Sequence, residues 1–114
     1  DTAPMNRWSI PSWLEAKVIE RDRHCVYCGL EFVPEPSSRG QRPSWEHIVN
    51  DARIVTLANI ARCCVSCNAS KGALDLHAWL ESSFCVTRGI TASTIAAVAR
   101  EALGRSVGGS RSVA

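Results

Sequence analysis

The chain has 114 residues, of which 46% are hydrophobic and 21% are charged, and its formal net charge is +2. This balance fits one small globular domain and argues against a fibrous or an intrinsically disordered protein. The sequence has no apolar stretch long enough to span a membrane and no apolar signal segment at its start. We therefore expect a cytoplasmic protein with no membrane partner. The weakly basic charge permits a nucleic-acid partner without requiring one.

The first helix is predicted over about residues 11–22. Ser12 and Glu15 have the spacing of a capping box at its start, and apolar residues recur at helical spacing after them. Residues 1–8 precede it and are expected to be poorly ordered, as chain ends often are.

Residues 33–44 predict a loop, because prolines and a glycine interrupt any regular pattern there. The loop carries Arg39 and Arg42. Two interpretations are open: the loop is a solvated connector, or it is an arm whose arginines contact phosphates.

The second half of the chain predicts two short strands and three helices. The strands are expected over 45–49 and 60–63, and the helices over 66–71, 74–84 and 91–103. The Gly- and Ser-rich residues 104–114 are expected to be disordered. The last helix could pack on its own domain or on a second copy, so a homodimer is left open.

Two Cys-x-x-Cys pairs are the strongest metal signal in the sequence. Cys25 and Cys28 form the first pair, and Cys64 and Cys67 form the second. Four thiolates can close a tetrahedral zinc site, which would stabilise a chain with a limited core. The alternatives are disulfides or a redox dithiol, but each fits two matched pairs less well. Cys63 competes with Cys64 for the ligand role, and the Cys-x-x-Cys spacing favours Cys64.

A second set of residues lies between and just after the cysteine pairs. Glu46 and His47 are adjacent, Asn59 directly precedes the second predicted strand, and Asn68 follows the last cysteine of the second pair. Carboxylate and amide oxygens suit Mg²⁺ or Mn²⁺. A neutral imidazole can take a proton from water. These residues could therefore build a site for hydrolysing a phosphodiester.

The order Cys-x-x-Cys, Glu-His-Ile, Asn-Ile and Cys-x-x-Cys-Asn-x-x-Lys-Gly resembles the HNH endonuclease family over about residues 25–72. The resemblance implies an α+β fold in which a small zinc-stapled ββα-metal core, also called a His-Me finger, is flanked by helices. It also implies that residues 1–114 form a single nuclease domain. The implied activity is metal-dependent cleavage of nucleic acid, with DNA the expected substrate.

The resemblance also implies a role for each residue of the second set. His47 matches the general base, and Asn59 matches the residue that braces the active-site loop. Glu46 and Asn68 match the ligands of a catalytic Mg²⁺ or Mn²⁺, although many members have Asp where this chain has Glu46. Lys71 is either a solvated charge at a helix end or a phosphate contact. The rival interpretation is a non-catalytic zinc module that binds nucleic acid or protein.

Overall fold

The computed structural model describes the backbone of residues 5–113 and the side chains of residues 5–105. Within this part the protein is a small α+β chain with one two-stranded antiparallel sheet. Its elements in chain order are α1 (Ser12–Arg21), β1 (Pro43–His47), β2 (Ile60–Cys64), α2 (Val65–Lys71), α3 (Leu76–Leu80), α4 (Ser83–Arg88) and α5 (Ala97–Val113).

The two strands and the helix that follows them form one continuous unit. β1 pairs with β2 so that His47 lies opposite Ile60 and Pro43 lies opposite Cys64. α2 begins directly after β2, where the Cys64 sulfur accepts a hydrogen bond from the Cys67 amide. Gly72 ends the helix with a positive φ of 49°, a conformation that favours glycine. This unit places the end of β1 beside α2.

The core has two clusters, one on each side of the sheet region. The larger cluster surrounds Trp79, whose ring meets Tyr27 edge-on at 4.9 Å between centroids. The smaller cluster joins α1 to β2 through Leu14, Val18 and Ile60, all of which are fully buried. The two clusters fix α1, the sheet and the C-terminal helices around the same short unit.

α1 lies within one residue of the predicted range at each end. The predicted capping box is wrong, because the residue before the helix is Pro11 and Ser12 makes no cap hydrogen bond. The Glu15 carboxylate instead accepts a hydrogen bond from the Asn6 side chain at 2.8 Å. Glu15 therefore ties the chain's first described residues to the helix.

Residues 5–8 are folded, contrary to the expectation for the N-terminus; residues 1–4 lie outside the described residues. The Asn6 side-chain oxygen, Oδ1, accepts hydrogen bonds from the backbone amides of Trp8 at 2.8 Å and Ile10 at 3.2 Å. Ile10 is fully buried beside α1. This turn holds the N-terminal segment against the domain.

The loop over 33–44 contains a short 3-10 turn at Arg39–Gln41 and ends in β1. It is tied to α2, because the Val65 amide donates to the Arg42 carbonyl at 2.9 Å. The Arg39 and Arg42 residues are exposed. Both interpretations of the two arginines therefore stay open.

The helices after α2 differ from those predicted. The expected helix over 74–84 is two helices, α3 and α4, because the Ser82 hydroxyl accepts the Cys85 amide and starts a new helix. The last helix starts at Ala97 instead of Thr91, since the Thr94 hydroxyl accepts the Thr91 amide and closes a turn.

The helical backbone of α5 continues past the predicted end at residue 103 to Val113, where a disordered tail was expected. The side chains after residue 105 lie outside the described residues. Ile95, Ala99 and Ala102 are buried in the larger cluster, so residues 95–102 pack on their own domain. No helix in the described part is long and apolar enough to cross a membrane.

Candidate metal centre and candidate active site

The four cysteines of the two Cys-x-x-Cys pairs meet in one cluster. Their sulfur atoms all lie within 4.8 Å of one another. Cys28 Sγ and Cys64 Sγ are 3.8 Å apart, which is about the edge of a ZnS₄ tetrahedron with Zn–S bonds of about 2.3 Å. None of the cysteines in the described residues is in a disulfide. The cluster is therefore positioned to hold a metal ion and is compatible with structural zinc.

Crowding of the four sulfurs moves their pKa values in opposite directions. Hydrogen bonds from the thiols of Cys25, Cys64 and Cys67 hold the pKa of Cys28 far below its usual range. Contacts with the other three sulfurs, first that of Cys25, raise the pKa of Cys67 far above it. Neighbouring thiolates repel, so the cluster carries four negative charges only when a cation offsets them. A divalent ion that prefers sulfur would supply that charge.

Cys63 is not part of the cluster. It is fully buried, and its sulfur lies 3.8 Å from the Ser44 hydroxyl. Burial raises the pKa of Cys63, and the nearby Glu46 carboxylate raises it further. Cys63 is thus a neutral core thiol, and Cys64 takes the place in the cluster that the spacing favoured.

Asn59 holds the loop between β1 and β2. Its Oδ1 accepts the Val49 amide at 2.7 Å, and its Nδ2 donates to the carbonyls of Val49 at 3.2 Å and Ile54 at 3.1 Å. The side chain is buried, so these bonds are shielded from water. They fix the backbone immediately after His47.

A cavity of about 190 Å³ brings together Glu46, His47 and Asn68. β1 supplies the first two residues, and α2 supplies the third. The rest of the lining comes from the N-terminal segment, β1, the following loop and the end of α2: Trp8, Trp45, Asn50 and Gly72. Three of the four residues proposed for chemistry therefore share one space, and Asn59 lies behind it.

A larger cavity of about 290 Å³ lies elsewhere, between Ile48, Leu76 and Ala102 among others. Its only ionisable lining residue is Asp75, whose carboxylate caps α3. This cavity offers no acid–base pair. We place the candidate active site in the cavity of about 190 Å³, because Glu46, His47 and Asn68 line it together.

Glu46 is 6% exposed and has two polar neighbours. The Tyr27 hydroxyl donates to its Oε2 at 2.6 Å, and Lys71 Nζ lies 3.0 Å from the same oxygen. The contact with Lys71 is an ion pair, because its angles do not meet the geometry of a hydrogen bond. No hydrogen bond or ion pair of the described residues uses the other carboxylate oxygen, Oε1. That oxygen is the one left for a cation.

Lys71 is neither solvated nor placed to contact a phosphate, so both predicted roles are wrong. It is 1% exposed and its charge faces Glu46. The long side chain passes into the core from the end of α2, because the buried carboxylate needs an opposite charge there.

Asn68 presents its amide oxygen rather than its nitrogen. Its Nδ2 donates to the Trp45 carbonyl at 3.0 Å and to the Ser44 hydroxyl at 2.9 Å. The carbonyl can only accept, which fixes the orientation of the amide. Oδ1 makes no hydrogen bond within the described residues, so it is available as an oxygen ligand.

His47 is partly buried at the end of β1. Its Nε2 is buried and has no hydrogen-bond partner in the described part of the chain. Buried polar atoms nearly always have a partner, so this nitrogen needs an explanation. Only water or a substrate could supply a partner other than the described residues.

Sequence reasoning missed Tyr27 and Trp8 and gave Lys71 the wrong role. Tyr27 lies inside the first Cys-x-x-Cys turn, where nothing local indicates that it reaches Glu46. Lys71 is three residues after Asn68 on α2, a spacing that places two side chains on one helix face. Trp8 follows a basic residue, a pairing that occurs in nucleic-acid sites. The last two signals could have been used.

No family model, curated protein or solved structure matches the chain.

Proposed function

We propose that the chain is an HNH-type endonuclease that hydrolyses phosphodiester bonds of nucleic acid, with DNA the expected substrate. The observation that carries the proposal is the convergence of Glu46, His47 and Asn68 on one polar cavity beside the cysteine cluster. An imidazole, a carboxylate oxygen and an amide oxygen are the groups that metal-assisted phosphodiester hydrolysis needs.

The two proposed metal sites differ in the chemistry of their ligands. Four sulfurs suit a structural zinc ion, which leaves no open position for a substrate. Glu46 Oε1 and Asn68 Oδ1 would hold Mg²⁺ or Mn²⁺, which prefer oxygen. A divalent ion bound there supplies positive charge to the phosphate and to the leaving oxygen.

His47 takes a proton from the attacking water in this mechanism, because a neutral imidazole is a good acceptor near neutral pH. Asn59 acts through the backbone, since its three hydrogen bonds hold the residues just after His47. Hydrolysis in this way leaves a 5′-phosphate and a 3′-hydroxyl, as the resemblance to the family implies.

Lys71 and Tyr27 prepare Glu46 for this role. Lys71 offsets the carboxylate charge, so a phosphate meets a less anionic cavity. Tyr27 occupies Oε2 and directs the carboxylate. Both are therefore proposed as positioning residues.

A non-catalytic zinc module is the second candidate, and one observation favours it. The Glu46 charge is already balanced by Lys71 without any bound ion. In that case the cavity would bind nucleic acid or protein without cutting it.

Cleavage of a supercoiled plasmid by the zinc-loaded protein separates the two candidates. We expect nicked or linear DNA only when Mg²⁺ or Mn²⁺ is added. His47→Ala should abolish most of this activity, whereas His77→Ala, at an exposed site on α3, should not. Zinc content is measured in each sample so that loss of the scaffold is not mistaken for loss of catalysis. DNA binding without metal-dependent cutting would favour the zinc module.

A further inference from the structure

Trp8 stands at the rim of the candidate active site. It lines the same cavity as Glu46, His47 and Asn68, yet 49% of the residue is exposed. A half-exposed indole at the edge of a polar cavity leaves part of its ring surface available to a bound ligand. Neither the zinc cluster nor the hydrolysis described above uses it.

The position of Trp8 is set by the fold. Asn6 accepts the Trp8 backbone amide at 2.8 Å, and the same Asn6 side chain donates to Glu15 on α1 at 2.8 Å. Buried Ile10 anchors the other end of the turn. The indole is therefore carried on a short, cross-braced turn, which lowers the entropic cost of using it in binding.

A cation lies on one face of the indole. The Arg7 guanidinium carbon is 4.8 Å from the centre of the Trp8 ring. An arginine in this place strengthens stacking on an aromatic ring and brings a positive charge to the rim of the cavity. The opposite face of the ring is the one that a nucleobase would take.

We propose that Trp8 is a stacking platform for an unpaired nucleobase next to the phosphate that is cut. This inference rests on the proposed nuclease function and names its preferred substrate class: single-stranded nucleic acid or a duplex with an extrahelical nucleotide. A base inside a duplex is stacked on both sides and has no free face to offer. An unpaired base has one.

Trp45 does not serve the same purpose. It lines the cavity but packs against the cluster that contains Ile10 and Ile60, so its ring forms part of the wall. Trp13 is more exposed, at 56%, but it lies on α1 and does not line the cavity. Trp13 is therefore a matched control for Trp8.

The test measures binding of fluorescently labelled oligonucleotides to the zinc-loaded chain without added divalent ion. Three probes are used: a single strand, a duplex with one bulged nucleotide, and the fully paired duplex. Trp8→Ala should weaken binding of the first two by about 5- to 150-fold, the usual contribution of one stacked base. Trp8→Phe should retain most of the affinity, and Trp13→Ala should match the wild type.

Two results would overturn the inference: equal affinities for Trp8→Ala and Trp13→Ala on all probes, or the same loss for Trp8→Ala on the paired duplex. Circular dichroism and zinc content show that each variant is folded. The plasmid assay keeps the two claims separate. Metal-dependent cutting with no effect of Trp8→Ala on binding would support the nuclease function and reject the stacking role of Trp8. Binding that depends on Trp8, without any cutting, would support the stacking role and reject the nuclease function.

Discussion

Glu46, Tyr27 and Lys71 form a buried polar trio beneath the cavity. The carboxylate and the ammonium are each less than 10% exposed and lie 3.0 Å apart. Removing one member of a buried ion pair leaves an uncompensated charge, which costs more than the pair contributes. The trio therefore links the stability of the domain to the residue proposed to hold the catalytic ion.

Lys71→Met should lower the free energy of unfolding by about 3–5 kcal/mol, because Glu46 would remain buried and unpaired. Adding Glu46→Gln to Lys71→Met should recover part of this loss. Urea unfolding with zinc in excess measures both, and Lys17→Met, at an exposed site on α1, is the control. A Lys71→Met chain as stable as Lys17→Met would contradict the ion pair.

Tyr27 is the only tyrosine in the chain, so its ionisation can be followed alone. Burial raises the pKa of Tyr27 well above its usual value of 10, and the charge of Glu46 raises it further. The neutral phenol thus stabilises the fold fully below the unfolded pKa of about 10, and this contribution is lost as pH rises through the higher folded value.

We expect the phenolate absorbance band to appear only together with alkaline unfolding, seen by circular dichroism. The free phenol would ionise near pH 10. A phenolate band at that pH in a chain that is still folded would show that Tyr27 is not buried against Glu46.

The second Cys-x-x-Cys pair acts at the scale of elements, since it joins β2 to α2. Cys64 ends β2, caps α2 through its sulfur and belongs to the four-cysteine cluster. The first pair attaches the turn after α1 to the same point. Loss of one of the four cysteines should therefore weaken the attachment of β2, α2 and the turn after α1 to one another.

Cys64→Ser should release the metal and unfold or strongly destabilise the domain. Cys85→Ala is the control, because Cys85 is fully buried in the core but lies outside the cluster. Zinc content and thermal unfolding are measured for both variants. Full zinc retention in Cys64→Ser would contradict the four-cysteine assignment.

Local signals explain which elements could be predicted. The Cys-x-x-Cys spacing led to the cluster, and the helical recurrence of Leu14 and Val18 led to α1, because each depends on residues close in sequence. The contact of Tyr27 with Glu46 spans 19 residues. Only the packing of the turn against the sheet determines it, so no local pattern could indicate it.

The predictions for the N-terminal segment and for the start of the last helix were wrong for related reasons. Asn6 is a turn residue only because Glu15 and buried Ile10 complete its hydrogen bonds and packing. The last helix was predicted to begin at residue 91, but the turn that Thr94 closes delays its start to Ala97. In each case side-chain contacts, rather than the preference of the residues alone, decide where the turn or the helix forms.

At the scale of the whole molecule, stability is expected to depend on the metal. A structural zinc site contributes on the order of 10–16 kcal/mol at neutral pH, whereas a small domain has a net stability of about 5–15 kcal/mol. Without zinc, the four cysteines would no longer hold the turn that carries Cys25 and Cys28 against the sheet.

We expect one zinc ion per chain and a folded-to-unfolded transition when a strong chelator removes it. Acidification should also release the metal, since thiols must lose protons to bind it. Circular dichroism during chelation and after zinc is restored measures both changes. A chelated chain that keeps its native spectrum and unfolding temperature would show that zinc is dispensable.

The most direct test of the central claim compares cleavage rates of wild type and His47→Ala on one DNA substrate with Mg²⁺, at equal zinc content and equal DNA affinity. The His47 side chain makes no hydrogen bond within the described residues, so replacing it by alanine should leave the fold intact. The account predicts a fall of about 10²- to 10⁴-fold in the cleavage rate, the usual contribution of a positioned general base. Equal rates for the two proteins, or no Mg²⁺-dependent cleavage by the wild type, would contradict it.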